Sequence, residues 1–266
     1  MILPLYQAEL WDNLRYEVIM DRTIEIWTTG APVPGAQRAR GSFFDMISAH
    51  TRAVFQGRER SVDVTVVDSR AAYSSLVNQE SSGVIVTGSP AHVRQNAEWM
   101  KWTMDALIEL DQRGRPILGI CFGHQLLGQA LGGQVDFNPQ GREIGTYPLT
   151  FHADDPLLGG PGSSPLVAMT HLDSVVVRPA RAQLVASTAL DPHAALRFSA
   201  TTWGVQFHPE MDVEIIGHYL SDRQRDIEAE GIDVERVRAS LRESPYGASL
   251  LGRFAQFCHA GKRFLG

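Results

Sequence analysis

From residue 24 onward, short apolar runs alternate with longer stretches whose apolar positions recur at helical spacing. Residues 24–28 (I-E-I-W-T), 62–67 (V-D-V-T-V-V), 83–87 (G-V-I-V-T) and 116–120 are short and rich in β-branched side chains, which predicts strands. Between them, helices are predicted around 42–56 and near 94–112, where Trp99, Trp102, Met104, Leu107 and Ile108 recur, with a Gly/Pro-rich loop at 29–41. Val/Ile-rich strands each followed by a helix imply an α/β architecture whose mostly parallel sheet is covered on both faces. Ligands of such sheets sit at the carboxyl ends of the strands.

After Leu131 the pattern shifts to shorter predicted strands at 142–151, 165–169, 174–178, 183–188, 194–198 and 203–207. Asp154-Asp155-Pro156 and the run from Gly159 through Pro165 read as surface turns. Residues 212–260 read as helical. Their stretch from Asp222 to Glu243 carries dense charge of both signs, the mark of a solvated helix face, with a lid or subunit contact as the other reading. Residues 1–23 form an N-terminal extension. Leu10, Leu14 and Val18 fit a docked helix, whereas Met20 fits a start that would make the extension dispensable. The expected organisation is a single domain at 24–266, with its core at 24–212 and C-terminal helices at 213–260.

Composition narrows the partners. A net charge of −6, without any Lys/Arg block, argues against nucleic acid and acidic membrane surfaces. Two cysteines without metal-ligand spacing indicate neither a disulfide framework nor a structural metal, and no cofactor is expected. No apolar run approaches the roughly 18 residues of a membrane span, and the N-terminus lacks an export pattern, so a reducing, cytoplasmic setting is expected.

The chemistry gathers at 115–131, R-P-I-L-G-I-C-F-G-H-Q-L-L-G-Q-A-L. An apolar strand turns at Cys121 into a helix beginning at Phe122. A nucleophile at such a corner is forced into a strained backbone, and the residues two before and two after it have no room for side chains. Those residues are Gly119 and Gly123. The helix directs its unpaired N–H groups and positive dipole end at the sulfur, favouring thiolate. A buried cysteine in an apolar run is more often a small core residue, but paired glycines and a distant His-Pro-Glu tripeptide weigh against that here. His208 closes a predicted strand, and Pro209 keeps it extended. Glu210, two residues on, points the same way and can orient the imidazole as a base for Cys121.

The segments I-L-G-I-C-F-G-H-Q-L-L (117–127), V-Q-F-H-P-E (205–210) and V-I-V-T-G-S-P (84–90) resemble the class I, or triad, glutamine amidotransferases. They are most similar to stand-alone proteins like the glutaminase domain of GMP synthase. The resemblance runs from about 24 to 212. It implies a flavodoxin-like open sheet and a Cys121-His208-Glu210 triad. It also implies an oxyanion hole from the N–H groups of Phe122 and Gly88, and a substrate contact from Gln125. Met169-Thr170-His171-Leu172-Asp173 resembles the M-S-H-x-D segment of GMP synthase, which would bring His171 and Asp173 to the pocket. A turn stapled by side chain to backbone bonds is the other account of those two residues. The sequence departs from the family pattern at Thr87-Gly88-Ser89-Pro90, where many members have G-G-P, and at Thr170, where Ser is usual.

No phosphate loop of the G-x-x-x-x-G-K-[ST] type occurs, and the residues beyond 212 are too few for an ATP-using domain. The expected activity is hydrolysis of the glutamine γ-amide through a Cys thioester, with ammonia released or passed to a synthetase on a separate chain. One alternative is a stand-alone hydrolase of γ-glutamyl peptides or conjugates. Another, of a different class, is a regulatory module that is inert or depends on a partner. Cys-dependent peptidases and chaperone-like proteins also carry an elbow cysteine, but they lack the F-H-P-E strand end.

Overall fold

The computed structural model describes residues 22–56, 62–69, 73–77 and 81–260. The helix or dispensable extension expected before residue 22 lies outside the described residues. Strands β1 (Arg22–Thr28), β2 (Val62–Asp68), β3 (Gly83–Val86), β4 (Ile117–Ile120) and β12 (Thr202–Val205) pair in parallel in the order β2-β1-β3-β4-β12. The sheet continues antiparallel through β11 (Ala195–Arg197), β10 (Gln183–Ser187) and β7 (Thr150–Phe151). Two antiparallel ribbons stand apart from it. One pairs β5 (Gln134–Phe137) with β9 (Asp173–Val177), and the other pairs β6 (Glu143–Pro148) with β8 (Leu166–His171).

Helices cover both faces, as continuous apolar strands require. On one face, α2 (Phe43–Ala53), α6 (Val213–Asp222) and α9 (Tyr246–Ala260) bury Ile47, Ile216 and Phe254 with Ile24, Ile26, Leu118 and Ile120 of the strands. On the other, α4 (Glu98–Gln112) and α5 (Phe122–Ala130) bury Leu107 and Leu126 with Trp27, Val84, Val86 and Ile117. Each such side chain contributes about 1.5–3 kcal/mol relative to exposure.

Several elements differ from expectation. The loop at 29–41 contains a short helix, α1 (Pro34–Arg40). It starts on a proline whose φ is already helical and stops at Gly41, where φ is 81°. A short helix α3 (Tyr73–Val77) and strand β5 were not foreseen. The strand expected over 142–151 divides at Leu149, because its first half pairs with β8 in a ribbon and its second half with β10 in the main sheet. The C-terminal stretch forms α6, α7 (Gln224–Ala229), α8 (Val234–Ser240) and α9, interrupted by Gly231 at φ 81° and by an irregular stretch at 241–245. Asp155, expected in a surface turn, is buried. Its carboxylate accepts hydrogen bonds from the N–H groups of Leu157 and Leu158 and from Trp203 Nε1. The turn is thereby anchored to β12.

One feature of the topology positions the site. β3, β4 and β12 are parallel neighbours, with Val86 and Gly204 both in register with Gly119. Their carboxyl ends therefore open at one edge, which brings 87–90, Cys121 and 206–210 together despite their separation along the chain.

Candidate active site

Cys121 sits between β4 and α5 with φ 48° and ψ −100°, a backbone state that non-glycine residues avoid. The two glycines have steric reasons. A Cβ on Gly119 would lie 2.6 Å from the backbone carbonyl carbon of Gly123, and one on Gly123 would run into the Val86 carbonyl oxygen. The corner can be this tight only without those side chains. As a result, the sulfur stands at the N-terminal end of α5.

His208 follows β12. Its Nδ1 lies 2.8 Å from Glu210 Oε1, and both side chains are buried. Since a carboxylate only accepts, Nδ1 carries the proton, and Nε2 is left for the recess that His208 shares with Cys121. Burial alone would depress the imidazole's pKa, but the negative charges of Glu210 and Cys121 outweigh it and push the value up to about 10. The ring is held on both sides. Phe43 stacks on it at 6.1 Å and 18°, while a Cβ on Gly88 would come within 2.8 Å of its Cε1. Just beyond Glu210, the Asp212 carboxylate caps α6 by accepting from the Ile215 N–H, so the helix start anchors this segment.

The loop at 87–90 is fixed from behind. The Thr29 hydroxyl faces the carbonyl oxygens of Thr87 at 3.0 Å and Gly88 at 2.8 Å. Because a trans peptide sets its N–H opposite its C=O, the N–H groups of Gly88 and Ser89 turn away from Thr29. Ser89 lines the cavity at Cys121; Gly88 backs the imidazole.

That cavity is about 310 Å³ and is bordered by Cys121, Gln125, His171, Asp173 and Arg223 among others. A small recess of about 30 Å³, also at Cys121, adds His208 and Tyr219. Gln125 and the His171–Asp173 turn are therefore brought to the same space as the sulfur. Much of their hydrogen-bonding capacity is nevertheless turned inward. Gln125 Nε2 donates to the Asp173 carbonyl at 2.7 Å, and the Asp173 carboxylate meets His92 Nδ1 at 2.8 Å and Arg94 Nη2 at 3.3 Å. His171 Nδ1 donates to the Asp173 carbonyl at 3.0 Å, so the turn is stapled as well as cavity-facing. Its Nε2 is 2.9 Å from Glu143 Oε2. Burial opposes a charged ring, but the Glu143 hydrogen bond and the Asp191 and Glu143 charges prevail and raise its pKa. Both ring nitrogens face acceptors, the Asp173 carbonyl and the Glu143 carboxylate. His124, next in the G-H-Q run, differs. Burial lowers it to about 4, and it packs as a neutral ring against Phe198.

Several cavity residues were not singled out from the sequence. Arg223, at the junction of α6 and α7, borders both cavities and forms no ion pair with any described residue; its guanidinium lies 5.3 Å over the Tyr219 ring. Arg142 is buried and grips Glu230 through Nε and Nη2, each at 2.7 Å. The charged stretch is largely exposed, as a solvated face would be, yet Arg223 and Asp226 also border the cavity and Glu230 braces Arg142 behind it. Gln206 lay unassigned inside V-Q-F-H-P-E, although strand alternation already put it on the same side as His208.

A strained cysteine at a strand–helix corner, facing a histidine backed by a carboxylate, defines a class of thiol-dependent acyl-transfer sites. Residues 43–224 match the family described as Glutamine amidotransferase class-I, and the chain belongs to that family. It is 36% identical over 152 residues to the GMP synthase [glutamine-hydrolyzing] of Aeropyrum pernix, covering 53% of this chain and 27% of that one. To the corresponding protein of Clostridium novyi it is 30% identical over 164 residues, covering 61% and 31%. The chain thus matches about a quarter to a third of the length of these relatives. Among solved structures, a glutamine amidotransferase from Thermotoga maritima shares the fold with a TM-score of 0.67 at 19% identity, covering 91% of this chain and all of that one. Another from Methylobacillus flagellatus does so at 0.60 and 18%, covering 91% and 94%. No described helix is long and apolar enough to cross a membrane.

Proposed function

We propose that the protein hydrolyses the γ-amide of glutamine or of a related γ-glutamyl compound through a thioester on Cys121, with His208 and Glu210 completing a triad. The observation carrying this reading is that Cys121 and His208 border one recess while Glu210 holds the far imidazole nitrogen.

In this reading, Cys121 Sγ adds to the γ-carbonyl carbon, forming the C–S bond and moving the carbonyl pair onto oxygen. The N–H of Phe122 and a loop N–H at Gly88 or Ser89 hold that oxyanion; the Ser89 group is favoured because it lines the cavity. As the C–N bond breaks, nitrogen takes the Nε2 proton of His208 and leaves as ammonia or amine. Water then gives a proton to His208 while adding to the thioester. The C–S bond breaks, releasing the γ-carboxylate product and restoring the sulfur. Glu210 stabilises the imidazolium throughout. Gln125, His171 and Asp173 shape the pocket, and Arg223 pairs with the substrate's α-carboxylate. A synthetase on another chain is the natural consumer of the ammonia, as the longer GMP synthases that this chain partly matches suggest.

A second cavity of about 560 Å³ shares Arg142 and Leu172 with the first, and this favours a variant reading in which the leaving group is larger than ammonia. The test is one assay with purified protein, comparing glutamine and a γ-glutamyl dipeptide. Release of ammonia or amine that disappears in Cys121→Ala is expected. Activity persisting in a folded Cys121→Ala protein overturns the assignment.

A further inference from the structure

Gln206 is fully buried two residues before His208. Its Nε2 lies 3.4 Å from Cys121 Sγ. Its Oε1 lies 3.1 Å from Gln125 Nε2, and that same nitrogen is 2.7 Å from the Asp173 carbonyl oxygen.

The orientation of a side-chain amide follows from its partners. A backbone carbonyl can only accept, so the Gln125 atom facing Asp173 is its NH₂ group. The same NH₂ group faces Gln206, so the Gln206 atom opposite must be the oxygen. Only the NH₂ of Gln206 then remains for the sulfur. A directed chain of hydrogen bonds, anchored on a main-chain carbonyl, therefore ends with an N–H presented to Cys121.

We propose that Gln206 is a further catalytic residue, whose amide N–H holds the Cys121 sulfur in its anionic form and aims it, independently of His208. The proposal rests on the reading of Cys121 as the nucleophile and deepens it. A hydrogen bond donated to an anion is about twice as strong as one between neutral groups. Unlike the imidazole, a carboxamide gives up no proton in the reaction, so it favours thiolate without competing for the proton that His208 delivers. Gln125 and Asp173 thereby serve as positioning residues as well as cavity wall.

The test reads the sulfur directly. Alkylation of Cys121 by iodoacetamide, assigned by peptide mass to separate it from Cys258, requires no γ-glutamyl substrate. Gln206→Met keeps the side chain's length and removes the donor. The expected result is alkylation at neutral pH slowed about ten- to a hundredfold, from the strength of a charge-assisted hydrogen bond, with the pH profile moved upward and thermal unfolding little changed. Where glutamine is turned over, kcat falls while KM holds. Gln125→Met, which frees the Gln206 amide to turn, shifts the profile the same way by less, and it carries the test should Gln206→Met fail to fold. A folded variant of either kind with the parent's alkylation profile overturns the proposal. Should the profile shift in a protein that cleaves no γ-glutamyl compound, the role at the sulfur stands and the substrate reading falls.

Discussion

The two sides of the cavity are built on different principles. On the nucleophile side, Cys121, the loop at 87–90 and the segment 206–210 hang from the ends of three adjacent parallel strands, and backbone sterics alone narrow their choices. On the opposite side, Arg142 just before β6, Arg223 between α6 and α7, Asp226 in α7 and Glu230 just after it form a charged wall, in which Arg142 is clasped by Glu230. The first side tolerates almost no change of shape. The second can vary in charge and length without disturbing the corner, so under the proposed function substrate choice is expected to sit there. Under the proposed function, reaction chemistry and specificity are separated in space and are expected to respond to different perturbations.

The sharpest break in that contrast comes from the nucleophile. Cys121→Ala is expected to reduce turnover to background, of the order of the 10⁶-fold loss seen when a triad nucleophile is removed, with the fold intact by circular dichroism. Glu210→Gln keeps the shape but removes the charge that stabilises the imidazolium, and a loss of about 10²–10⁴-fold in kcat is expected. The same substitution changes the pH response. The His208 pKa is raised from its ordinary 6.5 to about 10, so protonated His208 contributes stability that is complete below about 6.5 and is lost as pH rises through about 10. In Glu210→Gln, histidine NMR should show the titration moved down towards 6.5 and the alkaline loss of stability beginning at lower pH. An unmoved titration would mean that Glu210 does not hold the ring.

Smaller effects test the shape and charge limits. Gly119→Ala is expected to destabilise by about 1–3 kcal/mol by overpacking the corner, measured by denaturant midpoint. On the facing wall, Arg223→Met should raise KM for glutamine about ten- to a hundredfold, the worth of one charge-assisted hydrogen bond, with kcat far less affected. A change in kcat alone would place Arg223 with the reaction chemistry and erase the distinction between the sides. The least effect is expected of Glu230→Gln, which leaves Arg142 partly uncompensated. Because Glu230 is itself exposed, a cost of no more than about 1 kcal/mol is expected, and a larger one would show the clasp to be structural.

How far the residues alone could be read follows the same division. Cys121 with its flanking glycines, and His208 with Glu210, were legible because a strained corner and an extended tripeptide are local events. Even Gln206 was within reach, since alternation aligns it with His208. Arg223 was not, because among the several arginines of a charged stretch nothing local marks the one that borders the cavity. Likewise Asp155 reads as a turn residue until Trp203, distant in the chain, is seen to cover it.

Local pattern was therefore enough for the α/β class, the strained corner at Cys121 and the pairing of His208 with Glu210, because each depends on neighbours within a few residues. The antiparallel half of the sheet, the split of 142–151 between two sheets and the charged wall depended on contacts between distant segments. Those contacts are chosen by how all the elements pack together, and no short stretch of chain carries that information.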